Sequence, residues 1–387
     1  VPILDRNNPI PIYQQLASVI RNQILSGELK PGDQLLSELD MVSHYQVSRD
    51  SIRRALDLLA RAGMVKRVQG KGNFVYQWQE TQDEGGMISF LVPDERIFLF
   101  MNMLNGVVSA ARLRGYSTVF SYLGKNEREE AETIGQQKTQ GVSGFIIFPK
   151  NDLDYDAAIW QLFQEGTPFV LVDRDFPDLP CPFVGIDNVQ AAYNAVSYLL
   201  RRGYSTIGFA TSSDFKTSTI RDRFSGYRKA LDDHGIEFRP EWLIQSPSHF
   251  SSPIYYEEQE AIEIEHYRKL IRSPQCPSAI FAINDVTAYL IARAASLVGL
   301  RIPEDLALLG FDNDDFARRS SVPLTTVAQP FEEIGARAAH LLIDRLRGSP
   351  AGFERILLPT QLIIRQSCGE GLVHSRLFRS DDVNERR

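Results

Sequence analysis

Arg49 and Arg53 stand one helical turn apart, just inside a segment that Ser48 can cap, and the basic turn Gln69-Gly70-Lys71-Gly72 follows shortly after. Guanidinium forks at the start of a helix can pair bidentately with guanine O6 and N7, or clamp phosphate. Ser48, Ser51 and the amides of the helix amino terminus favour phosphate contacts, which set register on a duplex. The glycines around Lys71 let the backbone come close to DNA, and the negative potential of the minor groove attracts the lysine. Any one of these residues is ordinary on a solvated face. Together, at this spacing, they describe a grip on double-stranded DNA.

A second group lies far downstream. Asp173 and Arg174, Asp187, Asn284 and Asp285, and Asp312 and Asn313 each close an apolar run, and Arg223 opens a helical segment after Thr211. One Asp at a strand end is most simply a helix cap. Several of them with an arginine suggest a polar cleft, suited to a neutral polyhydroxylated ligand whose hydroxyls both donate and accept. Phe98, Phe100 and Phe176 could stack on the apolar face of a sugar ring; taken singly, each reads as core.

The elements that must position the first group are three helices and a hairpin. Ile12, Leu16, Ile20 and Ile24 recur at four-residue spacing between Pro11 and Ser26, with Gly27 at the stop. A second helix is predicted from Ser37, with Asp40 placed for a reciprocal capping contact, to about Tyr45. In the third, Ile52, Leu56 and Leu59 face inward, which sends Arg49 and Arg53 outward until Gly63 ends the helix. Two helices joined by a short turn, with arginines early in the second, is helix-turn-helix geometry. The two β-patterned runs between Val65 and Val75 add a wing.

From Met87 the pattern changes to buried strands alternating with amphipathic helices. Strands are predicted at 88–92, 118–123, 145–148, 169–173, 183–187, 207–211, 279–284 and 307–312, and helices at 99–114, 189–202, 221–234, 286–298 and 332–347. Apolar strands alternating with helices imply doubly wound parallel sheets covered on both faces. So many strands over this length divide naturally into two α/β lobes with a cleft between them, where ligands sit at the strands' carboxyl ends. The predicted organisation is a DNA-binding domain at 1–76, a polar linker at 77–86, an effector-binding and dimerisation domain at 87–367 and a charged, flexible tail at 368–387.

Composition agrees with this division. Net charge is −7 over 387 residues, but residues 1–76 hold 10 basic against 7 acidic side chains, leaving 32 against 42 for the rest. The basic end is the one that faces nucleic acid. Three widely separated cysteines without a Cys-x-x-Cys fit a reducing cytoplasm and speak against a disulfide framework or a zinc site. There is no apolar run of membrane-spanning length and no charged leader, so a cytoplasmic protein, nucleoid-associated when on DNA, is expected. The main rival is an enzyme fused to the reader. Against it, the chain has no Gly-x-x-x-x-Gly-Lys, His-Glu-x-x-His or Gly-x-Ser-x-Gly, and its six histidines are scattered, so no catalytic residue, cofactor or metal is expected. A transport binding protein is the third class, and the N-terminal reader argues against it.

The stretch from Pro11 to Val75 resembles the GntR-family winged helix-turn-helix. Its landmarks are Ile24-Leu25-Ser26-Gly27-Glu28-Leu29-Lys30-Pro31-Gly32, Leu36-Ser37-Glu38, Val47-Ser48-Arg49, Arg53, Ala55-Leu56 and Gly63. The resemblance implies DNA contacts from Arg49, Arg53, Gly70 and Lys71. Leu36 stands where the family usually has Pro, Leu39 where many members have Arg, and Asp50 where Thr is usual. Residues 87–367 resemble the LacI/GalR effector-binding domain, with a periplasmic-binding-protein-like fold. The densest match runs through Ala279–Asp285, Ile302-Pro303-Glu304-Asp305, Gly310-Phe311-Asp312-Asn313 and Pro323–Pro330. That likeness implies effector contacts from Asp173, Arg223, Asn284, Asp312 and Gln329. The combination is similar to the arabinose-responsive repressors. It implies a homodimer reading a pseudo-palindromic operator under the control of L-arabinose or another pentose, with a hexose, sugar phosphate or purine as alternative effectors.

Overall fold

The computed structural model describes residues 4, 11–25, 28–30, 32–61, 64–68, 71–75, 85–93, 97–124, 126–150, 156–176, 179–211, 215, 217–246, 257–348 and 354–369. Gln69 and Gly70, most of the expected linker and the tail beyond Gly369 lie outside the described residues, and so does the side chain of Phe98.

The reader is built from α1 (Ile12–Leu25), α2 (Glu38–Tyr45), α3 (Arg49–Arg61) and the antiparallel pair β1 (Val65–Val68) and β2 (Gly72–Val75). Leu16, Ile20, Met41, Ile52, Leu56 and Leu59 close its own small core. Ser37 caps α2 by accepting from the Asp40 amide at 3.2 Å, and its hydroxyl donates to the Asp40 carboxylate at 2.7 Å. The turn into α3 passes through Gln46 in the left-handed region (φ 53°), and Ser48 then accepts from the Ser51 amide at 3.1 Å. Those two caps set the starts of α2 and α3 with no glycine between the helices.

The rest forms two lobes. The first has the sheet order β13-β7-β6-β5-β3-β4, made of β3 (Met87–Val92), β4 (Ser117–Tyr122), β5 (Val142–Ile147), β6 (Phe169–Val172), β7 (Phe183–Ile186) and β13 (Arg355–Leu358). The second has the order β14-β12-β11-β10-β8-β9, made of β8 (Ile207–Thr211), β9 (Leu243–Gln245), β10 (Ala279–Ala282), β11 (Ala307–Asp312), β12 (Thr325–Ala328) and β14 (Gln361–Ile363). All pairs are parallel except β12 with β14, so both sheets are buried on both faces by helices. The chain passes between lobes after β7, after β12 and after β13. The lobes are therefore joined by several strands of chain rather than one.

Flanking helices are α4 (Ile97–Leu113), α5 (Glu127–Thr139), α6 (Ala157–Gln164), α7 (Asn188–Arg201), α8 (Ser218–Asp233), α9 (Glu257–Ile271), α10 (Asp285–Leu297), α11 (Asp315–Arg319) and α12 (Phe331–Leu346). The eight expected strands are present, within a few residues at their ends. The short strands β9, β12, β13 and β14 and the helices α5, α6, α9 and α11 had no counterpart in the sequence reading. Cys368, assigned from sequence to the tail, is fully buried against β11, where its thiol donates to the Leu308 carbonyl at 3.0 Å.

Candidate functional site

The outer face of the reader carries Arg49 and Arg53, whose side chains are more than half exposed. Both Nε atoms point at one oxygen of Glu38, at 3.3 and 3.0 Å, so the first turn of α2 aligns the two guanidiniums of α3. Partial burial pushes the Glu38 carboxyl upward, but the hydrogen bonds and charges of Arg53 and Arg49 together hold it below its ordinary value. Exposed pairs of this kind contribute little to stability, so exchanging Glu38 for phosphate or a base edge costs little. Ser48 and Ser51 sit at the amino end of α3 with their hydroxyls 2.9 Å apart. Lys71 projects from the wing, and its carbonyl is anchored by Gln34 Nε2 at 2.8 Å. The next residue, Gly72, has φ +111°, and a β-carbon there would lie 3.0 Å from the same Gln34 amide nitrogen. Leu36 and Leu39, the two departures beside Glu38, are exposed.

The second site is a small polar cleft between the lobes, about 50 Å³ in volume. Asp173 and Arg174 reach it from the end of β6; Asn284, Asp312 and Gln329 reach it from the ends of β10, β11 and β12; Arg223 enters from α8. Asp173 (φ 64°) and Asp312 (φ 101°) both occupy left-handed backbone, a strained arrangement for non-glycine residues that concentrates at binding sites.

Arg223 is the organising residue. Its Nε donates to Asn188 Oδ1 at 2.9 Å, its Nη1 to the Ile283 carbonyl at 2.6 Å, and its Nη2 lies 3.7 Å from Asp312 Oδ1. The guanidinium also lies 3.6 Å from the Phe311 ring centre, a cation–π contact that fixes its plane. Gln329 Nε2 donates to the same Asp312 oxygen at 2.8 Å. Arg174 lies over Phe148, with Nη1 donating to the Pro149 carbonyl at 3.3 Å. The oxygens Gln329 Oε1 and Thr217 Oγ1 are buried and take no hydrogen bond from the described residues. Buried polar atoms are normally satisfied, so these two suit a hydroxylated guest.

Three expected ligand contacts fall elsewhere. Phe100 is fully buried in the first lobe, edge-on to Phe148 at 5.0 Å, because α4 turns it onto the sheet. Phe176 is likewise part of the first lobe's core. Asp285 is fully buried behind the cleft wall, where its Oδ2 accepts from the Asp314 amide at 2.9 Å. Burial raises its pKa well above the ordinary value, helped by the nearby carboxylates of Asp314 and Asp312 and opposed by a hydrogen bond from Thr326.

The sequence reading missed Ser246, Glu263, Tyr267, Thr217 and Thr219, all of which line the cleft. Glu263, Tyr267 and Ile271 recur at four-residue spacing on the buried face of α9. A glutamate on an apolar stripe was the signal available for the first of them.

Comparison with known proteins agrees with both halves. Residues 12–75 match the profile "Bacterial regulatory proteins, gntR family" and residues 196–368 the profile "Periplasmic binding protein-like domain". The chain is 26% identical to an arabinose metabolism transcriptional repressor of Geobacillus stearothermophilus, across 94% of this chain and all of that one. It is 31% identical to the HTH-type transcriptional repressor CytR of Escherichia coli over 74% of this chain and 80% of that one. A solved LacI family transcriptional regulator from Enterococcus faecium with bound ribose superposes with a TM-score of 0.61 at 28% identity, covering 73% of this chain and 98% of that one. These relatives are regulators rather than enzymes. No helix among the described residues is long and apolar enough to cross a membrane. With a gntR-type reader at its head and repressor homology along its length, the chain belongs to the family of bacterial HTH-type transcriptional repressors that carry a periplasmic-binding-protein-like domain.

Proposed function

We propose that the chain is a sugar-controlled repressor in which Arg49, Arg53, Ser48, Ser51 and the wing around Lys71 hold operator DNA. In this reading Asp173, Arg174, Arg223, Asn284, Asp312 and Gln329 hold the effector. One observation carries the reading. Asp312 and Gln329 line the effector cleft and also line a groove between the reader's α1 and α3 and the sensor's α4 and α12. A ligand that competes for the Gln329–Asp312 hydrogen bond therefore acts on a wall shared with the seat of the reader. Coupling of this kind usually amounts to about 1–3 kcal/mol.

The effector class follows from the lining. Carboxylates, two carboxamides and fixed guanidiniums around the buried oxygens of Gln329 and Thr217 suit the hydroxyls of a small sugar. An arabinose-metabolism repressor among the relatives and a ribose-bound structural neighbour favour a pentose, with L-arabinose first. The working unit on DNA is a homodimer on a pseudo-palindrome, as two-fold readers require. The test is to select binding sites from random duplex DNA with the full chain and measure retention with and without L-arabinose. Failure to retain any duplex would overturn the reading.

A further inference from the structure

Along the second lobe's sheet, β12 and β11 bring Gln329 and Asp312 to one end of the cleft, and β9 brings Ser246 to the opposite end. There Ser246, tied to the sheet by its amide's hydrogen bond to the Thr211 carbonyl at 2.9 Å, donates its hydroxyl to Glu263 Oε1. Glu263 is only 4% exposed, and Tyr267, one turn further along α9, is 2% exposed. The Tyr267 phenol is driven upward in pKa by burial and by the Glu263 charge, so it stays a hydroxyl.

We infer that Glu263, held by Ser246 and Tyr267, is a specificity subsite that accepts a hydroxyl from a neutral, unphosphorylated sugar and turns phosphorylated sugars away. This rests on the proposed effector cleft. A carboxylate has about four lone-pair positions, so Glu263 can accept from a ligand hydroxyl beside its protein donors. A hydroxyl pointed at a buried carboxylate makes a charge-assisted bond, whereas a phosphate oxygen there meets like charge. The rest of the cleft offers a phosphate little in return. Its lining holds three carboxylates (Asp173, Glu263, Asp312) against two guanidiniums (Arg174, Arg223). Arg223 spends its donors on Asn188, Ile283 and Asp312, and Arg174 faces Pro149 and Asp173. The amino ends of α8 and α10 also reach the cleft through Thr217 and Asn284. Their dipoles, worth roughly half a charge each, bring the site near neutrality rather than making it cationic.

Calorimetric titration of the full chain with L-arabinose, D-ribose and D-ribose 5-phosphate tests this, with Glu263→Gln, Ser246→Ala and Asp312→Asn alongside. A free pentose should bind the unmodified protein and the phosphate should not. Glu263→Gln should weaken that pentose by about 10- to 100-fold, the range for losing a hydrogen bond to a charged group. Ser246→Ala should weaken it less, and its binding curve keeps the test open should Glu263→Gln fail to fold. If the phosphate binds as tightly as the free sugar, the subsite assignment is wrong. The same holds if Glu263→Gln and Ser246→Ala bind normally while Asp312→Asn does not, although the effector cleft then stands. If no sugar binds at all, the proposed function and the subsite fall together.

Discussion

Gln329 donates to Asp312 across 2.8 Å, and this pair forms part of both the cleft between the lobes and the groove beneath the DNA reader. Asp312 is held there in left-handed backbone at the last residue of β11, with Arg223 on its other side. A sugar hydroxyl competing for that carboxylate must disturb the amide that borders the groove. Gln329→Leu removes the donor while keeping the bulk. It is expected to leave operator binding without sugar nearly unchanged and to shrink the effect of bound sugar on that binding. Retention assays at fixed salt, with and without L-arabinose, check both halves.

The two sites should separate by mutation. Arg49→Ala is expected to weaken specific operator binding by about 1–3 kcal/mol and to leave calorimetric sugar binding as it was. Arg223→Ala should do the reverse. Loss of sugar binding in Arg49→Ala, with the protein still folded by circular dichroism, would contradict the division of labour.

How much of this was legible in the sequence depended on local signals. Ser48, Ile52, Leu56 and Leu59 announce α3 because caps and four-residue spacing are short-range, so the outward course of Arg49 and Arg53 followed directly. Asp312 and Asn284 were legible as the polar ends of apolar strands. Glu38 under the two arginines was not, since that contact depends on the angle between α2 and α3. Phe100 and Asp285 misled for the same reason. Position at an element's end does not say which side of the sheet a side chain takes. The far end of the cleft lay in a short edge strand and a charge-rich helix, α9, whose apolar stripe is interrupted by Glu263 itself.

Asp285 offers a check on that correction through pH. It and Asp314 are buried together, and burial raises both above their ordinary value of 3.8, with neighbouring carboxylates adding to the shift. Below that value folded and unfolded chains are both protonated. Above it the unfolded chain loses these protons first, so the native state binds more protons and stability falls as pH rises, levelling off above the raised native values. Asp285→Asn should flatten this fall in chemical denaturation as pH rises above the ordinary carboxylate value of 3.8. Because Asp285 stands outside the cleft, sugar affinity should not change. An unaltered pH slope would count against the buried pair.

Gly335 lets α12 cross close to α4. A β-carbon there would lie 2.0 Å from the Met103 carbonyl oxygen, and one on Gly106 would lie 1.9 Å from that of Glu332. Gly335→Ala is expected to push the helices apart and cost about 1–3 kcal/mol, as overpacking does. Denaturation midpoints measure this, and an unchanged midpoint would show that the crossing relaxes freely.

By contrast, the Arg21–Glu332 pair between reader and sensor spans 2.9 Å with both side chains more than a third exposed. Such a pair contributes only about 0.2–1 kcal/mol. Arg21→Ala should therefore change operator affinity by no more than a few-fold, a result readable from titrations at two salt concentrations.

The most direct test of the central claim is operator affinity of the full chain, measured at one salt concentration with and without saturating L-arabinose. A coupled switch predicts a change of about 5- to 150-fold that disappears in Arg223→Ala. Sugar binding detected by calorimetry with no change in operator affinity would contradict it.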